Sequence, residues 1–208
     1  MKEKLFERKE AVLEAALDEF CVRSYEEASL NSILKNAGIS KGSFYYHFND
    51  KKDLYFCMLK SAVEAKWTFI RNRLETQSDM SAGKNIFEQF RYQARIGAEF
   101  ASKYPRYHRL SQMFSREKGS AIYLEASTML GIDAEGILTG MIDAAIREGI
   151  FDATYSREFL IKTMSYLFSH FEEIFNKDED FELDTMLRNL DLFVHFMAHG
   201  AAKPATHK

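Results

Sequence analysis

The fold of this chain is decided by residues 29–54, which read SLNSILKNAGISKGSFYYHFNDKKDL. Ser29 suits the N-cap of a short helix, whose Ile33 and Ala37 fall four residues apart on one face. Gly38 stands where that helix must end, because the residue just past a helix end commonly adopts the left-handed conformation that glycine reaches without strain. The stretch therefore begins with a short helix followed by a tight turn.

A second short helix is predicted to follow the turn, over residues 41–47. Ser40 is its natural N-cap, and Phe44 is its one apolar anchor. Asp50 and Asp53 then form a carboxylate version of a capping box for a longer helix. Two short helices joined by a glycine turn, the second with an exposed face, are typical of a helix-turn-helix that reads DNA.

The second helix of such a motif enters the major groove with its N-terminal residues, while neighbouring side chains contact phosphates. Gly42 costs a helix about 1 kcal/mol relative to alanine, which indicates that a neighbour such as a phosphate approaches the backbone closely. The residues predicted to contact DNA are Ser29, Ser40, Lys41, Gly42, Ser43, Tyr45, Tyr46, His47 and Lys51.

Residues 37–48, which read AGISKGSFYYHF, together with Lys51 and Leu54, resemble the DNA-binding domain of the TetR family of bacterial transcriptional regulators. Residues 12–20 resemble the first helix of that family. The resemblance implies an all-α fold, with an N-terminal three-helix helix-turn-helix domain and a C-terminal helical ligand-binding and dimerisation domain. It also implies a homodimer that binds a palindromic double-stranded DNA operator. Repression is favoured over activation by analogy, because blocking a promoter needs no surface for polymerase.

The composition agrees with a helical protein. Of 208 residues, 46% are apolar, 28% are charged and only two are proline. The net charge is −3, and the first 52 residues carry nine basic and nine acidic side chains, so DNA binding must depend on where charges lie. Without a leader-like N-terminus or a run of eighteen apolar residues, we expect a cytoplasmic protein that does not enter a membrane.

The two cysteines, Cys21 and Cys57, have neither metal-site spacing nor the density of a disulfide scaffold. We expect reduced, packed thiols. A redox sensor is the alternative interpretation, and it would need a cationic setting around one thiol.

The predicted domains are a helix-turn-helix domain at residues 1–50, a helical effector-binding and dimerisation domain at 51–200 and a flexible tail at 201–208. One long helix is expected over 50–74, followed by a loop at 78–83 and a helix to about residue 102. After a break at Tyr104 and Pro105 come a short helix over 107–114 and a glycine-interrupted stretch that Gly149 ends. The last two helices are expected over 156–176 and 181–198.

Both of these last helices carry broad apolar stripes, which fit either an intramolecular core or a dimer interface. Proteins of the resembling family use this helix pair to meet a second copy, and we favour that interpretation, although one stripe can serve both roles. The predicted interface residues are Leu160, Met164, Leu167, Phe171, Leu183, Leu187, Leu190 and Val194.

The central helices are rich in aromatic residues and methionine, most of which are expected to be ordinary core. The resemblance implies a pocket among these helices for a small, mainly hydrophobic effector, with Arg109 among the possible polar anchors. The predicted effector-binding residues are Trp67, Tyr92, Arg95, Phe100, Tyr104, His108, Met113, Phe114 and Tyr123.

Two other classes of function compete with a regulator. His195 and His199 have the spacing of a zinc helix, but Phe196 stands where a hydrolytic site needs its glutamate base. We therefore expect neither an enzyme nor a metal site, and no cofactor. The remaining alternative is a helical small-molecule carrier or interaction protein that does not read DNA.

Overall fold

The computed structural model describes residues 2–76, 85–175 and 182–201. Within these ranges the chain forms eleven helices, which confirms the all-α fold. They are α1 (Lys2–Phe20), α2 (Leu30–Asn36), α3 (Lys41–Tyr45), α4 (Lys51–Thr76), α5 (Ile86–Lys103), α6 (Pro105–Arg116), α7 (Ala121–Leu130), α8 (Ala134–Arg147), α9 (Arg157–Ser169), α10 (Phe171–Phe175) and α11 (Leu183–Ala201). The predicted loop at 78–83 and all but the first residue of the predicted tail lie outside the described residues.

The first compact unit combines the chain up to Arg73 with residues 103–132. Here α1 packs against α2, α3 and α6. The core of the unit is apolar, and Phe20, Ile33, Phe44, Leu54 and Leu110 are fully buried in it. The helix-turn-helix therefore shares one core with α6 and α7.

The second compact unit combines residues 74–102 with the chain from Asp133 onward. Its core contains a cluster of phenylalanine rings from α5, α9, α10 and α11. Phe90 stacks on Phe168 with 3.9 Å between ring centroids, and Phe171 lies 5.1 Å from Phe193. The unit is thus built around aromatic contacts.

Packing divides the chain differently from the predicted domains, because residues 103–132 belong with the N-terminal helices. The boundary at residue 50 describes the DNA-binding segment and stays a prediction. None of the described helices is long and apolar enough to span a membrane.

Two predicted helices are interrupted. The stretch that ends at Gly149 is divided into α7 and α8, because Gly131 adopts a left-handed φ of 64° and Asp133 caps a new helix through the Gly136 N–H. The helix predicted from residue 156 ends at Ser169. There the backbone N–H and the ring Nδ1 of His170 both lie within hydrogen-bond distance of the Tyr166 carbonyl.

Both thiols are free. Cys21 is buried, and its Sγ donates to the backbone carbonyl of Arg106 at 3.0 Å. Burial raises the pKa of the Cys21 thiol and that of the Cys57 thiol. The thiolate form that a redox sensor needs is therefore disfavoured at both positions.

Candidate functional site

The helix-turn-helix has the local geometry that its sequence predicts. The Ser29 Oγ accepts from the Ser32 N–H at the start of α2, and the Ser40 Oγ accepts from the Ser43 N–H at the start of α3, each at 3.3 Å. Gly38 has a φ of 65°, so the turn between the helices uses the left-handed conformation. Each serine hydroxyl still has its own hydrogen to donate to a neighbour.

The second helix of the motif presents an exposed surface around one buried anchor. Phe44 is fully buried and stacks against Phe48, with 5.6 Å between ring centroids. Lys41 and Gly42 are exposed, and Tyr45 and Tyr46 are 57% and 73% exposed. We call Lys41, Gly42, Tyr45 and Tyr46 the reading surface; large aromatic side chains this exposed are suited to contact a partner.

His47 lies beyond the end of α3, although the predicted helix included it. Its ring centroid lies 5.2 Å from that of Tyr46 and 6.5 Å from that of Phe48. The Nε2 atom is buried, with no hydrogen-bond partner among the described residues. A phosphate contact from His47 would therefore require the other ring nitrogen or a change of rotamer.

Lys51 is engaged with the protein rather than with solvent. Its Nζ donates to the carbonyl oxygens of Tyr25 at 2.7 Å, Ala28 at 3.0 Å and Glu26 at 3.4 Å. The same ammonium lies 4.4 Å from the centroid of the Tyr25 ring. Because an ammonium has three donors, a phosphate would have to displace one of these carbonyls. The DNA contact of Lys51 stays a prediction, and its structural role was missed from the sequence.

The capping pair before α4 is confirmed. The Asp53 N–H donates to the Asp50 Oδ1 at 2.8 Å, and the Asn49 N–H donates to the Asp53 Oδ2 at 3.0 Å. These bonds satisfy backbone donors at the helix start. They fix the segment that links the reading surface to α4.

The predicted effector-binding residues are divided between the two units. Tyr92, Arg95 and Phe100 belong to the second unit, and the rest belong to the first. Phe114 is buried in the first core and stacks on Tyr123 at a centroid distance of 4.7 Å, whereas Trp67 is 59% exposed. No cavity described in either unit is lined by these residues, so their assignment stays a prediction.

Two cavities lie within the second unit. One, of about 300 Å³, is lined by residues of α5 and α8 and by Glu148: Ile86, Gln89, Ile137, Gly140, Met141, Ala144, Ala145 and Glu148. The other, of about 200 Å³, is lined by Tyr155 and by residues of α9 and α11: Tyr155, Phe159, Leu160, Thr163, Met164, Leu167, Phe196, Met197 and Gly200. The first cavity combines an apolar lining with one amide and one carboxylate, which is a common composition for a small-molecule site.

Five of the predicted dimer-interface residues already pack within the chain, and their contact with a second copy stays a prediction. These five, Leu160, Met164, Phe171, Leu190 and Val194, are buried within the chain's own second core. Leu167, Leu183 and Leu187 pack against that core and are half-buried. A broad apolar stripe on a helix includes side chains that face the core and side chains at the exposed margin. In both of these helices the middle of the stripe faces the core.

The exposed edge of these helices carries other apolar side chains. Phe159 on α9 is 51% exposed, and Leu192 and Phe196 on α11 are 62% and 69% exposed. Phe159 and Phe196 also line the smaller cavity, one from each helix. We call Phe159, Leu192 and Phe196 the outer apolar edge; helical period alone could not distinguish it from the inner stripe.

His195 and His199 lie on the exposed side of α11. Their ring centroids are 3.9 Å apart, and the His199 Nδ1 lies 2.8 Å from the His195 carbonyl oxygen. Among the described residues, no group of three or more metal-ligating side chains surrounds them.

Comparison with known proteins identifies the N-terminal segment. Residues 12–57 match the family model described as bacterial regulatory proteins, tetR family. The HTH-type transcriptional activator FasR of Mycolicibacterium smegmatis is 36% identical over 73 residues, which cover 35% of this chain. The match spans about a third of the length of FasR, at 33%. The family model therefore matches the part of the chain that carries the helix-turn-helix.

Similarity of fold extends over nearly the whole chain. A TetR family transcriptional regulator from Chloroflexus aurantiacus superposes with a TM-score of 0.77 at 20% identity, covering 97% of this chain and 98% of that one. A crystal structure from Saccharomonospora viridis in complex with choline gives a TM-score of 0.62 at 15% identity, covering 98% and 100%. Both comparisons establish the same helical architecture.

Proposed function

Because residues 12–57 match the tetR family model and the fold matches that of a TetR family regulator over 97% of the chain, we propose that this chain is a TetR-type transcriptional regulator that responds to a ligand and binds a palindromic operator as a homodimer. The match over residues 12–57 supports a DNA-binding helix-turn-helix, and the proposal is a transcriptional regulator rather than an enzyme. The dimer, the effector response and a repressing role are our proposals. Access to the operator requires the compartment that holds the chromosome, so the proposal includes a cytoplasmic location.

The reading surface is the observation that carries this function. It presents one ammonium, an open stretch of backbone at Gly42 and two exposed phenol rings, all held by the buried Phe44. A Cβ added at Gly42 would meet only the Ser40 Oγ, at 4.0 Å, so packing within the chain does not require glycine there. The absence of a side chain at Gly42 leaves room for a phosphate or a base edge.

We place the proposed effector in the larger cavity, between α5 and α8. Its volume of about 300 Å³ is at the lower end of the range for small-molecule sites. Apolar side chains form most of its lining, while Gln89 and Glu148 supply polar groups. A small hydrophobic molecule carrying a donor or a cation matches this lining. The choline complex of the Saccharomonospora viridis protein is a precedent for a small ligand on this fold.

The proposed dimer uses the outer apolar edge. Phe159, Leu192 and Phe196 expose apolar area that water solvates poorly, and burying aromatic side chains drives association of protein surfaces. A two-fold dimer repeats each contact across its axis and presents two reading surfaces to two half-sites. The proposed interface therefore replaces the buried stripe residues by the exposed ones.

The test is selection of bound sequences from random double-stranded DNA at two salt concentrations. We expect an enriched palindrome with half-sites about one helical turn apart. Tyr45→Ala should weaken binding to that sequence by about tenfold or more, corresponding to loss of a good base contact. Lys66→Ala, an exposed lysine on α4 outside the motif, should leave the Kd within about twofold.

Sedimentation of the same preparations tests the dimer. Phe196→Asp should shift the protein toward monomer and reduce operator affinity, whereas Leu124→Asp, at another exposed apolar position on α7, should not. Enrichment of no sequence at either salt concentration would reject DNA reading and favour the carrier alternative. A monomer that still selects a palindrome would reject only the interface.

A further inference from the structure

Tyr25 lies in the turn between α1 and α2, and several elements bind its separate groups. Its N–H donates to the Glu117 Oε1, and its carbonyl oxygen accepts from the Lys51 Nζ at 2.7 Å. Its ring lies 4.4 Å from the Lys51 Nζ and 5.1 Å from the centroid of the Tyr55 ring. The turn is therefore fixed at Tyr25 by α4 and by the residue that follows α6.

Glu117 uses its second oxygen on another partner. The hydroxyl of Tyr55 donates to the Glu117 Oε2 at 2.9 Å, and Tyr55 is only 1% exposed. Burial, together with the negative charge of Glu117, raises the pKa of Tyr55, so its hydroxyl stays protonated and keeps donating. One carboxylate thus joins the turn before α2 to the first turns of α4, using both of its oxygens.

The turn leads directly into the helix-turn-helix. The N–H of Ser29, the N-cap of α2, donates to the Glu19 Oε1 at 2.9 Å. Lys51 binds the carbonyls of residues 25, 26 and 28. Glu19 and Lys51 belong to the N-terminal 54 residues, whereas Glu117 reaches the turn from the α6–α7 segment.

We propose that Glu117 is a positioning residue for operator reading, which sets the entry into α2 by holding the Tyr25 N–H and the Tyr55 hydroxyl. The inference rests on the proposed DNA binding. It adds a determinant of operator affinity more than sixty residues beyond the motif, within residues 103–132 that share its core. A shift of the turn would move α2, which continues through the Gly38 turn into α3, and base contacts tolerate little displacement.

Glu117→Gln tests this with little change in size. The amide keeps one oxygen as an acceptor but turns an N–H₂ group toward the other donor, so one of the two bonds is lost. We expect operator Kd to rise about tenfold, the effect of losing a hydrogen bond to a charged group in a positioning role. The matched control is Glu125→Gln on α7, which removes an exposed ion pair with Lys52 and should change Kd less than about twofold.

Two further measurements separate positioning from simple loss of stability. Leu110→Val truncates a fully buried side chain of the same core and should lower the midpoint of thermal unfolding without changing Kd well below that midpoint. Hydrogen exchange in Glu117→Gln should accelerate selectively at the amides of residues 25–29. In a Tyr55→Phe background, Glu117→Gln should have a smaller effect on Kd, because the two residues share one bond.

Unchanged operator affinity in Glu117→Gln, with wild-type protein binding its selected sequence, would overturn the positioning role alone. So would a loss of affinity matched by Leu110→Val at equal stability. If the wild-type protein selects no sequence, the proposed function falls and this inference falls with it.

Discussion

Each of the two compact units has an apolar core with ring contacts, but the most distinctive contacts of each unit differ in kind. In the first, backbone groups of the turn before α2 are bound one by one, by Lys51, Glu117 and Glu19. In the second, rings pack on rings, as Phe90 does on Phe168. Directed bonds fix a position in space, while aromatic packing specifies burial and tolerates several arrangements.

This difference matches what each unit is proposed to do. A surface that reads base edges needs its side chains held closely to one geometry. A unit that receives an effector and a second copy needs apolar surface that can adjust to what covers it. The four predictions that follow test whether the polar and aromatic interactions differ in this way.

The largest effects are expected from replacing one buried phenylalanine in each unit, Phe44 in the first and Phe193 in the second. Phe44→Ala and Phe193→Ala should each lower the free energy of unfolding by about 3–5 kcal/mol, the usual cost of removing a buried phenylalanine. Phe44→Ala should also abolish operator binding, because α3 loses its anchor. Chemical denaturation with hydrogen exchange should locate each loss of protection in the unit that contains the residue. Equal loss of protection in both units would show that each phenylalanine stabilises the whole chain rather than its own unit.

Lys51→Met comes next. Methionine keeps the unbranched stem but removes the ammonium from three carbonyls, which should lower the free energy of unfolding by about 2 kcal/mol. Lys60→Met on the same helix removes only an exposed contact with Glu64 at 3.9 Å and should change stability by less than about 0.5 kcal/mol. Similar losses for the two variants would mean that the hydrogen bonds from Lys51 to the turn add no more stability than an exposed ion contact.

Alkaline pH should weaken the first unit through Tyr55. Its folded-state pKa is raised by burial and by Glu117, so the unfolded chain releases the proton first as pH rises above about 10. Stability present below that pH is then lost, at a slope of at most about 1.4 kcal/mol per pH unit for one proton. Denaturation of Tyr55→Phe between pH 9 and about 11 should show a shallower decline. A decline equal to that of the wild type would remove Tyr55 as its source.

The smallest effect is expected at the surface ion pair of Lys52 and Glu125. The two side chains are 42% and 52% exposed, so water screens their attraction even at an N–O distance of 2.9 Å. Glu125→Gln should leave stability nearly unchanged, and any change should vanish in high salt. A loss as large as that of Lys51→Met would mean that charge alone, rather than bonding to the backbone, stabilises the first unit.

The sequence was most informative where a residue type has one local use. Ser29 and Ser40 cap their helices and Gly38 takes the left-handed conformation, as predicted from residues 29–54. These features depend on neighbours in the chain, so they are readable without the tertiary structure. The carbonyls that bind Lys51 lie 23 to 26 residues away, and no periodicity points to them.

The apolar helices were harder to interpret for a different reason. A hydrophobic period shows that a face is covered but not by what, so Leu190 on the inner stripe and Phe196 on the outer edge look alike in sequence. Burial separates them, since Leu190 is 1% exposed and Phe196 is 69% exposed. The predicted effector residues are ambiguous for the same reason and stay a prediction, because aromatic content marks a core as readily as a pocket, as the buried Phe114 illustrates.

Gly42 implies a conflict between the stability of α3 and its contact with DNA. With open space around it, Gly42→Ala is expected to stabilise free α3 by up to about 1 kcal/mol. A substitution that improves the isolated protein and weakens its DNA complex would be favoured by a screen for heat resistance and rejected by a screen for regulation. The chain would thus keep a less stable helix as a trade-off for its regulatory role.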